Sequence, residues 1–210
     1  MLLAPCQGQE PYHFILGNEE FSNIDIYGIK QTDDGVYWIV SDKGLYSYNG
    51  YIFRHYRHPN QLSSSLFNLK TDHKGAIYCN NFNGQIFRVE KGDIELFHTV
   101  PDSLLSPYIT FDFLTDNSLV VYAMSCYKMI DGKIHLLLSE SLVRQGSIGA
   151  SRDYENRLLS YNADGNTYRI STDTTEQMQL DIDKSIPIEY FLRLIYHEKG
   201  IFASDNGRSI

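Results

Sequence analysis

Few of the residues that could do chemistry in this chain stand at spacings that would let them work together. Asp33-Asp34 could form a carboxylate pair for general acid–base work. Both precede Gly35, however, and an Asp-Gly turn calls for such residues through its backbone geometry alone. His55 and His58 fall where a strand runs into a loop, so their side chains leave opposite faces, and no third ligand is near in sequence. Asn162-Ala-Asp-Gly165 has the outline of a calcium loop but lacks the further acidic ligands and the closing glutamate. His13, His73, His98, His135 and His197 are scattered singly. No Gly-rich phosphate loop, nucleophile elbow or zinc signature occurs. Cys6, Cys79 and Cys126 have neither metal-ligand spacing nor the even count of a disulfide framework, and read as free thiols. The sequence therefore predicts no catalytic residue, no metal and no cofactor.

The elements that carry these residues follow a repeat. In its first copy, Asp34-Gly35 makes a turn, an apolar run follows, and a second turn ends in Gly44. Later copies place that second turn at Gly84, Cys126, Gly165 and Gly207, so the period is about 40 residues. Within a period, four short runs are separated by turn signals, and none has helical spacing. In the first they are roughly 24–32, 36–41, 44–49 and 51–57. Four antiparallel strands in that length make one blade of a β-propeller. The second run of each period, such as Val36-Tyr-Trp-Ile-Val40 or Leu119-Val-Val-Tyr122, is apolar without alternation. A strand of that kind is buried on both faces, as a middle strand stacked between two blades must be. The expected fold is all-β, a propeller of four-stranded antiparallel blades at about 24–57, 64–98, 108–139, 146–180 and 188–210, or about four and a half blades. The buried centre should include Trp38, Val40, Ile77, Cys79, Val121, Leu159 and Phe202.

Composition agrees with one β-rich domain over 11–210: 42% hydrophobic residues, 16 Tyr and 11 Phe in 210 residues. A formal net charge of −8 argues against nucleic acid and anionic membrane surfaces as partners. No run approaches the ~18 apolar residues of a membrane span. Residues 1–10, beginning Met1-Leu-Leu-Ala-Pro-Cys6, read as a signal-peptide remnant or a disordered start. The run Tyr12-His-Phe-Ile-Leu16 has no partner within its period. It is expected to add to the fifth blade or to lie at an edge, which would make the isolated chain poorly soluble or oligomeric.

Lys30-Gln-Thr-Asp-Asp-Gly-Val-Tyr-Trp-Ile-Val-Ser-Asp-Lys-Gly-Leu-Tyr-Ser-Tyr-Asn-Gly50 resembles the two-component regulator propeller repeat, and Phe202-Ala-Ser-Asp-Asn-Gly207 repeats its second half. The third and fourth copies match less well, with Asn117 and Asn156 in place of the first Gly. The resemblance implies an extracytoplasmic propeller on the periplasmic face of the inner membrane, serving as input domain of a sensor histidine kinase. Such propellers are typically sevenfold, with the membrane helix and kinase modules downstream, so this chain is expected to be a fragment and a homodimer in the full receptor. Its ligand would be a small molecule, a glycan or a protein. A propeller interaction module or secreted binding protein without a kinase, and a propeller lyase, are the alternatives.

Ligand recognition is expected on the face bearing the loops between strands two and three and those between blades. Asp42, Asn83, Asp164 and Asn206 read there as turn formers before Gly. Lys43, His58, Asn81 and Phe82 depart from the repeat and are the candidate ligand-binding residues.

Overall fold

The computed structural model describes residues 17, 20–107, 109–138, 149–152, 157–161, 166–179, 192–197, 200–205 and 208–209. Their regular structure is five antiparallel sheets and a single 3₁₀ turn at Asp102–Leu104. The first sheet holds β1 (Ile26–Gln31), β2 (Tyr37–Ser41), β3 (Gly44–Tyr48) and β4 (Phe53–Tyr56). The second holds β5 (Phe67–Thr71), β6 (Ile77–Asn80), β7 (Gln85–Glu90) and β8 (Asp93–Thr99). The third holds β9 (Thr110–Phe113), β10 (Leu119–Tyr122), β11 (Cys126–Ile130) and β12 (Lys133–Leu138). The fourth holds β13 (Gly149–Arg152), β14 (Leu158–Tyr161), β15 (Asn166–Ile170) and β16 (Thr175–Gln179). The fifth, within the described residues, holds β17 (Leu192–His197), β18 (Gly200–Asp205) and β19 (Arg208–Ser209). In each sheet the strands lie side by side in chain order, and each is an up-and-down meander. This is a β-propeller built from four-stranded blades.

Local chemistry explains the first hairpin of the first three blades. Asp34 Oδ1 accepts from Thr32 Oγ1 at 2.6 Å, and the Gly35 N–H bonds the Thr32 carbonyl at 2.8 Å. In the second blade Asp72 Oδ1 accepts the N–H groups of Lys74 and Ala76, both at 2.9 Å. The carboxylates of Asp34 and Asp72 thus hold turns. At the left-handed position stand Gly35 (φ 83°), Gly75 (φ 85°) and, in the third blade, Asn117 (φ 66°). Asparagine replaces glycine there because its short polar side chain tolerates that conformation.

The core lies between blades. Val40, Leu45 and Tyr56 of the first blade pack with Ile77, Cys79, Phe87 and Val89 of the second. Tyr78 and Ile86, on the other face of the second blade, pack with Phe111, Phe113, Leu119, Val121 and Tyr127 of the third. Val120, Tyr122, Cys126 and Leu138, on the third blade's far face, pack with Leu158, Tyr168 and Ile170 of the fourth. Alternate residues of β6 and β10 therefore serve different interfaces, which is why both strands read as unbroken apolar runs.

Val40, Ile77, Cys79, Val121 and Leu159 are buried as expected. Trp38 is not. It is only half-buried, packed beside the Val40 cluster with its ring 5.4 Å from that of Tyr56. Burial rises along β2 from exposed Tyr37 to buried Ser41, and Trp38 sits near the open end of that gradient. Phe202 is on β18, and its side chain lies outside the described residues, as do the run 12–16 and the loop 162–165.

Candidate functional site

The hairpin turns joining β2 to β3 and β6 to β7 share one end of the blades with the segment that links the first blade to the second. Ile26 faces Ser41 across the first hairpin, and Phe67 faces Asn80 across the second, so both inner strands begin at this end. The four residues expected to bind ligand all belong to it, but the structure gives them different work.

Lys43 is exposed and ion-paired with Asp42 at 2.5 Å. The hydrogen bond to Asp42 raises its pKa. Its carbonyl accepts from His55 Nε2 at 3.0 Å, and His55 stacks on Tyr46 with ring centroids 4.5 Å apart. Gly44 is required beneath this contact, because a Cβ there would meet His55 Nε2 at 2.7 Å. His58 accepts the Asn60 N–H on Nδ1 at 3.2 Å and leans against Phe87, so it shapes the link between blades.

Asn81 is a correction. It is fully buried, and its Oδ1 accepts the N–H groups of Asn83 and Gln85, both at 3.1 Å. Its Nδ2 donates to Gln85 Oε1 at 2.9 Å. The amide is consumed in building the turn and offers a ligand nothing. Gln85, also buried, extends the network by donating to the Asn60 carbonyl at 2.8 Å and accepting the Leu62 N–H at 2.8 Å. These bonds fasten the 58–62 link to the second blade.

Phe82 stands open, at 48% exposure. Its ring stacks on Phe67 with centroids 4.2 Å apart, and Phe67 stacks on Tyr27 at 4.5 Å. Tyr27 comes from the inner strand of the first blade, Phe67 from that of the second, and Phe82 from the second blade's turn. Tyr27 is itself 46% exposed, and Ile26 beside it 43%. Three aromatic rings in a row, open at both ends of the stack, form an apolar platform on the loop-bearing end. Below it, toward the opposite end of the inner strands, Asp112 pairs with Lys70 at 3.0 Å and with Arg152 at 2.5 Å.

No protein-family model matches the sequence, and neither does any curated protein. Solved structures do match. Virginiamycin B lyase from Staphylococcus aureus superposes with a TM-score of 0.64 at 14% identity, covering 85% of this chain and 62% of the lyase. The extracellular domain of a Bacteroides thetaiotaomicron protein assigned as a one-component system gives 0.63 at 15% identity, over 85% of this chain and 26% of that one. Another from the same organism, assigned as a hybrid two-component system, gives 0.63 at 13% identity, over 88% and 27%. These likenesses establish the propeller fold. The chain spans less than two thirds of each of these proteins.

Tyr27, Phe67, Lys70, Asp112 and Arg152 were not singled out from the sequence. A signal for part of the set exists, since Lys30, Lys70 and Asp112 recur with the same spacing as the turn positions Gly44, Gly84 and Cys126. Tyr27 and Phe67 share that spacing too, but Phe82 belongs to a turn that varies between copies, so nothing in the repeat marks the complete stack.

Proposed function

We propose that this chain is the ligand-sensing propeller of an extracytoplasmic two-component-type sensor, and that it recognises a ring-faced small molecule or glycan on the platform of Tyr27, Phe67 and Phe82. The observation that carries this reading is the exposed aromatic stack at the loop-bearing end, joining two blades. Exposed aromatic faces bind apolar ring faces at little entropic cost. The resemblance of residues 30–50 to the two-component regulator propeller repeat and the shared fold of the Bacteroides extracellular domains support the sensing role. Binding across two blades would bias the placement of two propellers in a receptor dimer, and only the ligand's differential affinity for two arrangements can drive such a shift.

Calorimetric titration of the chain with a glycan and metabolite panel tests this. A ligand should bind and be recovered chemically unchanged. Phe82→Ala and Tyr27→Ala should each weaken binding about tenfold or more, for a stability loss of about 1 kcal/mol per stacked pair. Equal binding by the double variant would place the site elsewhere, and recovery of a cleaved ligand would favour the lyase reading.

A further inference from the structure

Four charged residues occupy the inner strands of four successive blades. Lys30 on β1, Lys70 on β5 and Asp112 on β9 hold one register position, opposite Trp38, Tyr78 and Val120 across the first hairpin of each blade. Inner strands of adjacent blades touch, β1 with β5, β5 with β9 and β9 with β13, so the four are neighbours in space. The Asp112 carboxylate is buried and already taken. Oδ2 accepts from Lys70 at 3.0 Å, while Oδ1 accepts from Arg152 at 2.5 Å and from the Phe113 N–H at 2.8 Å. Arg152 also donates to the Phe113 carbonyl at 2.6 Å.

Lys30 is different. It is half-buried and, among the described residues, makes no hydrogen bond or ion pair. Among the described residues, Lys30, Lys70 and Arg152 gather about the Asp112 carboxylate, and Asp33 is the other acid whose field reaches Lys30. Partial burial first, and then the field of Lys70, lowers the pKa of Lys30. Partly buried cations grouped in this way are screened weakly and draw counter-charge.

We propose that this inner-strand cluster is an anion-binding site, in which Lys30 and Lys70 grip a carboxylate or a phosphate-type oxyanion and Arg152, braced by Asp112, supplies the third positive charge. An ammonium with no protein partner is the natural donor to such a guest, and the charge-assisted bonds formed are the strong class. The site lies three residues along β1 and β5 from Tyr27 and Phe67, about 10 Å at strand rise. It stands whether or not the chain is a sensor, because binding of a bare anion needs neither the aromatic platform nor a signalling partner.

The test is calorimetric titration and thermal unfolding of the chain with inorganic phosphate, with glucuronate and with neutral glucose, at matched ionic strength in chloride. At least one of the two anions should bind saturably and raise the melting temperature, while glucose does neither. Phosphate alone or glucuronate alone tells whether the guest is an oxyanion or a carboxylate. Lys30→Met should weaken the binding about tenfold or more, the value of one charge-assisted bond. In chloride the variant should keep or raise the wild-type melting temperature, because no partner is lost and repulsion is relieved. Lys30→Gln serves if the methionine variant does not fold. Lys133→Met removes an exposed charge on outer strand β12 and should leave binding unchanged. The proposal fails if neither anion saturates, if the Lys30 variants bind as tightly as wild type, or if Lys133→Met weakens binding equally.

Discussion

Asp112 has lost nearly all contact with water, yet two cations keep its carboxyl charged. Burial alone would raise its pKa, but Lys70 and Arg152 overcome that and the net direction is down. A carboxyl depressed in the folded state contributes stability that is complete above its unfolded pKa of about 3.9 and fades as pH falls through the folded value. Asp112→Asn should therefore cost about 3 kcal/mol near neutral pH, the lower end for a buried pair broken from one side, because both cations keep some solvent. Below pH ~4 the gap between variant and wild type should narrow. Urea unfolding at neutral and acid pH checks both, and a gap independent of pH would contradict the assignment. Residue identity alone could not have shown this, because Asp112 and Arg152 sit in strands that read as ordinary repeat members. Asn81 teaches the converse. A polar residue in a turn before glycine reads as exposed, whereas the tight hairpin turned its amide inward.

Among the turns, Gly35 and Gly84 share a left-handed φ, 83° and 80°, but differ in surroundings. A Cβ on Gly35 would meet nothing within 4 Å, while one on Gly84 would lie 2.8 Å from Leu105 Cδ1 and 3.1 Å from Val100 Cβ. Gly35→Ala should cost about 1 kcal/mol, for conformation alone. Gly84→Ala should cost about 2–3 kcal/mol, because the blade link must also give way. Equal losses in denaturant titration would mean that Leu105 and Val100 move freely. Trp38→Ala supplies a third expectation. With the ring half-buried, it should cost about 2 kcal/mol rather than the roughly 3–5 of a fully buried aromatic. A loss in the upper range would mean that the far face of the first blade is covered.

At the scale of the molecule, the main contacts between blades among the described residues join successive blades, so stability should be distributed like that of a linear array. β6 and β10 each contribute to two inter-blade clusters, whereas His55 on outer strand β4 is exposed. Native-state hydrogen exchange should show the amides of Cys79 and Val121 exchanging about a hundredfold more slowly than that of His55. Uniform protection across blades would mean that they open only as a single unit. No helix among the described residues is long and apolar enough to cross a membrane.

What the sequence determined by itself was everything that acts over a few residues or repeats faithfully. Positive-φ turns at Gly35, Gly75 and Asn117 follow from local backbone sterics, and four strands per period follow from turn spacing. Two-faced burial of β6 and β10 follows from apolar runs too continuous for a solvated strand. Tertiary structure alone decided which distant side chains meet. Tyr27, Phe67 and Phe82 stack because two inner strands and one turn converge at the same end of adjacent blades. Lys70, Asp112 and Arg152 meet because inner strands from successive blades pack side by side. Apart from Phe67 and Phe82, which are 15 residues apart, these partners stand about one blade apart along the chain. Local propensity has no reach over that distance, so only the stacking of blades selects them.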